Sequence, residues 1–299
     1  MRKRYYIDIS VELTHLDMLE RLARDVGAPK AIVRPLRPGG GYPSFGATFY
    51  EDDPGLRRVR DFAARFARRC SERLEYVYSP TELRAAELLA FDVGRSPMEM
   101  CAPEFGTEYD LSTGCPLCGT AARQVGPLNV KRSVLPRSGQ IGCTVDGVEI
   151  ACRSLADALR AAGIGGLELR EVVNWKTGEP LGWFQMLASH VLPPLDRRTS
   201  GIIRGKRPDE QPCPECRRDG HFGQLSEPMV FVYNRREVDP SMLPDVSVTW
   251  EHFGKTGRNE DGTFWKLATP CMLVKPTIYR IFKEQKVRRA IFEPVRFVD

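Results

Sequence analysis

The chain lacks any run of 18 apolar residues, so no membrane-spanning helix is expected. Its start, Met1-Arg2-Lys3-Arg4-Tyr5-Tyr6-Ile7-Asp8-Ile9, is basic and then alternates. The apolar stretch and small-residue cleavage site of a secretory leader are missing, and a cytoplasmic protein is expected. Histidine is scarce, with His15, His190, His221 and His252 alone. No two stand at catalytic or metal-binding spacing, and no His-Glu-x-x-His occurs. There is no Gly-x-Ser-x-Gly elbow, no dinucleotide fingerprint and no P-loop, because Gly39-Gly40-Gly41 is not followed by a helix start. The carboxylate pairs Asp52-Asp53 and Glu260-Asp261 fall in turns, where solvation accounts for them. One-sided charge is lacking too. Lys+Arg number 44 against 39 Asp+Glu, a formal net charge of +5, short of the excess that marks a nucleic-acid domain by itself. Nothing nominates a catalytic centre, and an enzyme with a purely spatial site ranks third among the function classes.

What is present is ordinary soluble-protein composition over 299 residues, 42% hydrophobic and 28% charged, enough chain for two domains and a sizeable core. In residues 1–97, Ile7, Ile9 and Val11 share one face of a strand. Leu16, Leu19, Leu22 and Ala23 continue at helical spacing to Gly27. Strands are expected at 31–33, 45–50 and 74–78, and a flexible turn at 38–41. Between them, an Arg-rich helix is expected over 54–70, with Pro54 at its first position. A third helix is expected from Ser79 to Leu89. The first six elements follow the β-α-β-β-α-β order of a ferredoxin-like unit.

After a Pro- and Gly-containing connector over 98–114, the chain repeats. Cys115-Pro116-x-Cys118 recurs as Cys213-Pro214-x-Cys216. Pro127-Leu128-Asn129-Val130 is echoed by Pro228-Met229-Val230-Phe231, and Leu135-Pro136 by Leu243-Pro244. An ungapped block at an offset of 123 matches Leu159 with Phe282, Leu169 with Phe292 and Val172 with Val295. Each copy of the block reads as a Ser or Thr cap (Ser154, Thr277), a three-turn amphipathic helix, a polar turn and a strand. A strand over 182–191 belongs to the first copy. The segments 196–212 and 254–261 are polar and read as an exposed basic loop and a mobile loop.

The cysteines carry the chemistry. Nine is an odd number, which argues against a full disulfide framework. Cys70, Cys101, Cys143, Cys152 and Cys271 are dispersed and read as small buried hydrophobes. Cys115, Cys118, Cys213 and Cys216 form two Cys-x-x-Cys pairs, the spacing that wraps two thiolates around one tetrahedral ion, and two such turns complete a four-cysteine site. The 94 residues between the pairs are far more than a compact zinc finger uses. One structural Zn2+ joining the starts of two repeats is the favoured arrangement. Unmetalled or redox pairs are the alternative, although such a motif normally follows a strand and opens a helix, and neither pair does. His221, five residues after Cys216, is a further candidate ligand and reads as a turn residue.

The two cysteine turns, the stretch Asp245-Val246-Ser247-Val248-Thr249-Trp250-Glu251-His252-Phe253-Gly254 and the ending Phe292-Glu293-Pro294-Val295 together resemble the bacterial double-CXXCG proteins, a paralogous group expanded in myxobacteria. The resemblance covers roughly residues 100–299. Its second turn departs from the motif, ending in Arg217 where the motif has glycine. Some members of that group are described as immunity proteins, which implies a non-enzymatic, protein-binding role toward a cognate toxin. The expected architecture is therefore α+β, with an N-terminal domain over 1–97. A zinc-stapled tandem repeat follows over 98–299, its copies at about 115–174 and 213–299, joined by a zinc-ribbon-like site of four cysteines. Binding would use the N-terminal sheet face or the loops 196–212 and 254–262. The alternative is a nucleic-acid-associated zinc-ribbon protein using the Arg-rich helix 54–70, whose arginines can track phosphates.

Overall fold

The structure is a computed structural model that describes residues 1–299 except 34–40, 95–96, 99–101, 137–138, 206, 208–209 and 225–226. Pro38 to Gly40 of the expected turn, Cys101, and Lys206 and Pro208 of the basic loop lie outside the described residues. The chain is α+β and divides into two units, Met1–Ser79 with Gln224–Pro228, and Pro80–Gly223 with Met229–Asp299.

The first unit runs β1 (Arg2–Val11), α1 (Leu16–Asp25), β2 (Ile32–Val33), β3 (Ser44–Tyr50), α2 (Pro54–Phe66) and β4 (Ala67–Val77). Its sheet has the order β2-β3-β1-β4, with every neighbouring pair antiparallel. Alternation in β1 puts Ile7, Ile9 and Val11 into a core with Phe45 and Phe49 of β3, Leu19, Leu22 and Ala23 of α1, and Leu56 and Val59 of α2. Burial of each large side chain there contributes about 1.5–3 kcal/mol.

The helix expected over 54–70 starts as its sequence dictates. Asp53 accepts the Gly55 N–H at 2.7 Å, and Pro54 fills the first turn without wasting a donor. It ends at Phe66, four residues early. From Ala67 onward the backbone is extended, because β4 pairs along the whole of β1 (Arg69 opposite Ser10, Leu74 opposite Tyr5), and that ladder overrides local helical preference. Arg68 and Arg69 therefore lie on a strand and not on the expected arginine face.

The second unit opens with α3 (Pro80–Ala85) and β5 (Leu89–Val93), where the sequence predicts one helix through Leu89. Leu89, Phe91 and Val93 are buried at every second position, the period of a strand. Then follow β6 (Pro97–Met98), β7 (Tyr109–Asp110), β8 (Arg123–Gln124), β9 (Leu128–Val130), β10 (Ile141–Thr144), β11 (Glu149–Cys152), α4 (Arg153–Ala161), β12 (Leu167–Asn174) and β13 (Pro180–Ala188). The rest comprises β14 (Ile202–Arg204), β15 (His221–Gly223), β16 (Val232–Asn234), β17 (Val246–Phe253), β18 (Gly257–Arg258), β19 (Phe264–Lys266), β20 (Thr269–Val274), α5 (Pro276–Glu284), β21 (Ala290–Pro294) and β22 (Arg296–Val298).

Two sheets organise these strands, one in the order β6-β10-β11-β13-β12-β9 and one in the order β17-β20-β5-β21. In the first, α4 connects β11 to β12, β13 sits antiparallel between them, and the far end of β12 pairs in parallel with β9. In the second, α5 connects β20 to β21, β5 sits antiparallel between them, and β22 pairs in parallel with β16. The helices α4 and α5 are both nine residues long and begin 123 positions apart (276 − 153). The central strands differ in origin. β13 follows β12 directly, whereas β5 comes from ahead of both cysteine turns. This places 80–93 in the second unit, ahead of the boundary expected at 97. The expected caps Ser154 and Thr277 lie inside the first helical turns, which begin one residue earlier, at Arg153 and Pro276.

Phe91 anchors β5, fully buried between the rings of Phe282 and Phe292 with centroids 5.5 and 5.4 Å away. Phe91→Ala is expected to cost about 3–5 kcal/mol. Urea denaturation measures the loss, and hydrogen exchange locates it in Thr269–Val274 and Ala290–Pro294.

Candidate metal centre

Each Cys-Pro-x-Cys segment closes a tight turn. In the first, the Gly119 N–H donates to the Cys115 carbonyl at 2.7 Å, and the Cys115 N–H donates to the Thr120 carbonyl at 3.0 Å. In the second, the Arg217 N–H donates to the Cys213 carbonyl at 2.9 Å. Both turns leave through a left-handed residue, Gly119 at φ +72° and Arg217 at φ +57°. The missing glycine therefore does not change the turn. Arginine is held in a conformation that disfavours a Cβ by roughly 1–2 kcal/mol. Gly119 has a second constraint, since a Cβ there would run into the Phe264 ring.

These turns bring Cys115, Cys118, Cys213 and Cys216 together, with all four Sγ atoms within 4.8 Å of one another. Close contacts cross from one turn to the other: Cys115 to Cys213 at 3.8 Å and Cys118 to Cys216 at 3.5 Å. A disulfide would need about 2.05 Å. A tetrahedral ion with bonds of about 2.3 Å holds its sulfurs about 3.8 Å apart. The donor set and its spacing fit a thiophilic tetrahedral ion and do not fit bridged pairs. Cys213 is buried and the other three are half-buried.

Local electrostatics act unequally on the sulfurs. Burial pushes the Cys115 thiol up, but the N–H groups of Cys118 and Leu117, with the Cys118 and Cys213 sulfurs, outweigh it and bring Cys115 down to about 7. Burial raises Cys118 and Cys216. His221 is not among the clustered donors, and its Nε2 lies 3.2 Å from the Arg217 carbonyl. Beyond the turn, His252 is buried and held down to about 4 by burial and by the Arg218 charge. Its backbone N–H donates to the Arg218 carbonyl at 2.6 Å.

Several residues around the sulfurs are invisible in the cysteine spacing. Asp219, fully buried, accepts the Cys213 N–H at 2.8 Å and pairs with Lys255 at 3.0 Å. Thr120 Oγ1 lies 3.1 Å from Cys118 Sγ and 3.2 Å from Thr256 Oγ1. Lys255, Thr256 and Phe264 come from in and beside the segment expected to be a mobile loop, which instead carries the β18–β19 hairpin. The signal for it is Asp261-Gly262, a hairpin dipeptide, with the Asp261 carboxylate accepting the Thr263 N–H at 2.9 Å.

Three of the six arginines of the segment 54–70 face carboxylates of their own unit. Arg60 pairs with Glu72, Arg68 with Glu12, and Arg57 lies 4.0 Å from Asp61. No known family model matches the chain, and no curated protein matches it.

The strained exit of the second turn gives a direct check. Arg217→Gly is expected to raise stability by about 0.5–1 kcal/mol, the relief of strain less the added freedom of the unfolded chain. Gly119→Ala is expected to lower it by about 2 kcal/mol or more, because it adds both strain and overlap with Phe264. Paired denaturation curves against the native chain read out both signs.

Proposed function

We propose that Cys115, Cys118, Cys213 and Cys216 hold one structural zinc ion, and that the chain is a non-enzymatic protein-interaction module of the double-CXXCG type, an immunity protein that neutralises a cognate toxin. The observation that carries the metal assignment is the pairing of sulfurs across the two turns at distances suited to a tetrahedron. Four thiolates fill such a shell and leave no position for a substrate, which favours structure over catalysis. The motif order described for the sequence supports the protein-binding role.

The architecture is read in the same way. The β2-β3-β1-β4 order with all pairs antiparallel supports a ferredoxin-like reading of residues 2–77. The matched helices α4 and α5, and the matched neighbours of β12 and of β21 with β22, support a duplicated αβ unit with the zinc joining the two copies. The described cysteines are all free, which suits a reducing cytoplasm. No described helix is long and apolar enough to cross a membrane.

Structural zinc supplies about 10 kcal/mol or more of apparent folding energy, against about 5–15 kcal/mol for a whole domain. Cys115→Ser and Cys213→Ser are therefore each expected to abolish zinc binding and to loosen both sheets of the second unit by hydrogen exchange. Metal analysis of the purified native chain is expected to give one zinc per molecule, and a metal-free native protein would defeat the assignment. For the partner, purification from native lysate is expected to retain a stoichiometric toxin. A salt-sensitive gel shift with RNA or DNA and no retained protein would select the nucleic-acid alternative.

A further inference from the structure

The two cysteine turns lie far apart in the sequence, yet one segment touches both. Lys255 spans the second turn. Its ammonium donates to the Gln211 carbonyl at 2.7 Å, just before the turn, and pairs at 3.0 Å with Asp219, just after it. Asp219 in turn accepts the N–H of Cys213. One residue on, Thr256 reaches the first turn through Thr120 Oγ1 at 3.2 Å, and Phe264 of β19 closes over Gly119.

We propose that Lys255, Thr256 and Phe264 form a clasp on the metal centre that sets how fast the ion leaves, with Thr256 acting through Thr120 on the Cys118 thiolate. The proposal rests on the zinc assignment above. Its core is a count of hydrogens. A metal-bound thiolate has none, so at the 3.1 Å contact with Cys118 Sγ the hydrogen comes from the Thr120 hydroxyl. Thr120, having used its one hydrogen, accepts from Thr256. Thr256 has then used its own, and its oxygen accepts the Ala268 N–H at 3.1 Å. Each hydroxyl hydrogen is used once, and each hydroxyl oxygen accepts one bond in return. The relay runs from the backbone N–H of Ala268 to the sulfur and cannot be satisfied with its hydroxyls reversed. Thr120 is fully buried, so water does not take the place of Thr256. Thr256 and Lys255 are positioning residues, each acting on the centre through a neighbour, and outer partners of this kind typically change metal affinity by roughly 10- to 100-fold.

The test uses the full chain loaded with zinc, and in parallel with Co2+, in four variants: Thr256→Val, Thr256→Ser, Lys255→Met and, at the exposed hairpin tip, Glu260→Gln. Stoichiometry is measured first: absence of zinc from the native chain defeats the zinc assignment and the clasp with it, whereas bound zinc with unchanged release in the variants defeats the clasp alone. Zinc transfer to a chromogenic chelator is then followed in time. Thr256→Val and Lys255→Met are expected to release zinc roughly 10- to 100-fold faster than the native chain. Thr256→Ser, which keeps the hydroxyl, and Glu260→Gln are expected to stay within about twofold of the native rate, well short of the 10-fold lower bound for an outer partner. The sulfur-to-cobalt charge-transfer band is expected to move in Thr256→Val, which loses a donor to a thiolate, and to stay in Lys255→Met. Native release and an unmoved band in Thr256→Val would overturn the relay. Equal acceleration in Thr256→Ser and Thr256→Val would do the same by exposing a packing effect. A native rate in Lys255→Met would remove Lys255 from the clasp.

Discussion

The second unit brings sulfurs 98 positions apart to within 3.5–3.8 Å of each other. Closing a loop of that length removes roughly 4–5 kcal/mol of chain entropy. Backbone turns alone return little of this. Each is a local structure of a few hydrogen bonds, worth about 1 kcal/mol apiece. An ion bound by all four thiolates, as we propose, offsets the whole sum and makes each turn conditional on the other. That is why the arrangement is better described as a joint between two halves than as two zinc knuckles.

The joint is braced from behind. Asp219 fixes the backbone of Cys213, Thr120 fixes the side chain of Cys118, and both are reached from the short stretch that leads into the β18–β19 hairpin. A buried carboxylate such as Asp219 is tolerable only with compensation, and it has a backbone N–H on one oxygen and Lys255 beside the other. The left-handed Arg217 shows the same priority from the opposite side. The turn geometry is kept, and the strain sits in the backbone of Arg217 itself.

The strand β5 binds the second unit together in a different way. It occupies the centre of the sheet whose other strands come from residue 246 onward, so the α5 half has no contiguous stretch of sequence that contains its whole sheet. Its pairings span well over a hundred residues, which raises contact order and makes the sheet late to close. The first half, with β13 placed by a direct connection after β12, depends far less on distant chain.

Much of this was legible in the residues. Alternation in 5–11, helical spacing in 16–23 and 54–66, and the two Cys-Pro-x-Cys turns are local patterns. They identify strand, helix and ligand type because side-chain period and turn chemistry act within a few residues. Local pattern therefore set the kind of the elements in the first unit and in the blocks around α4 and α5, and the residue type of the four clustered ligands. Long-range packing settled the rest. Residues 67–71 became strand because β1 presented a ladder, and the alternating segment 89–93 found its partners in strands far along the chain. The segment 254–261 became a brace because Thr120 and Asp219 lay within its reach. Each of these outcomes is set by a partner far along the chain, and no local pattern encodes which partner will be there.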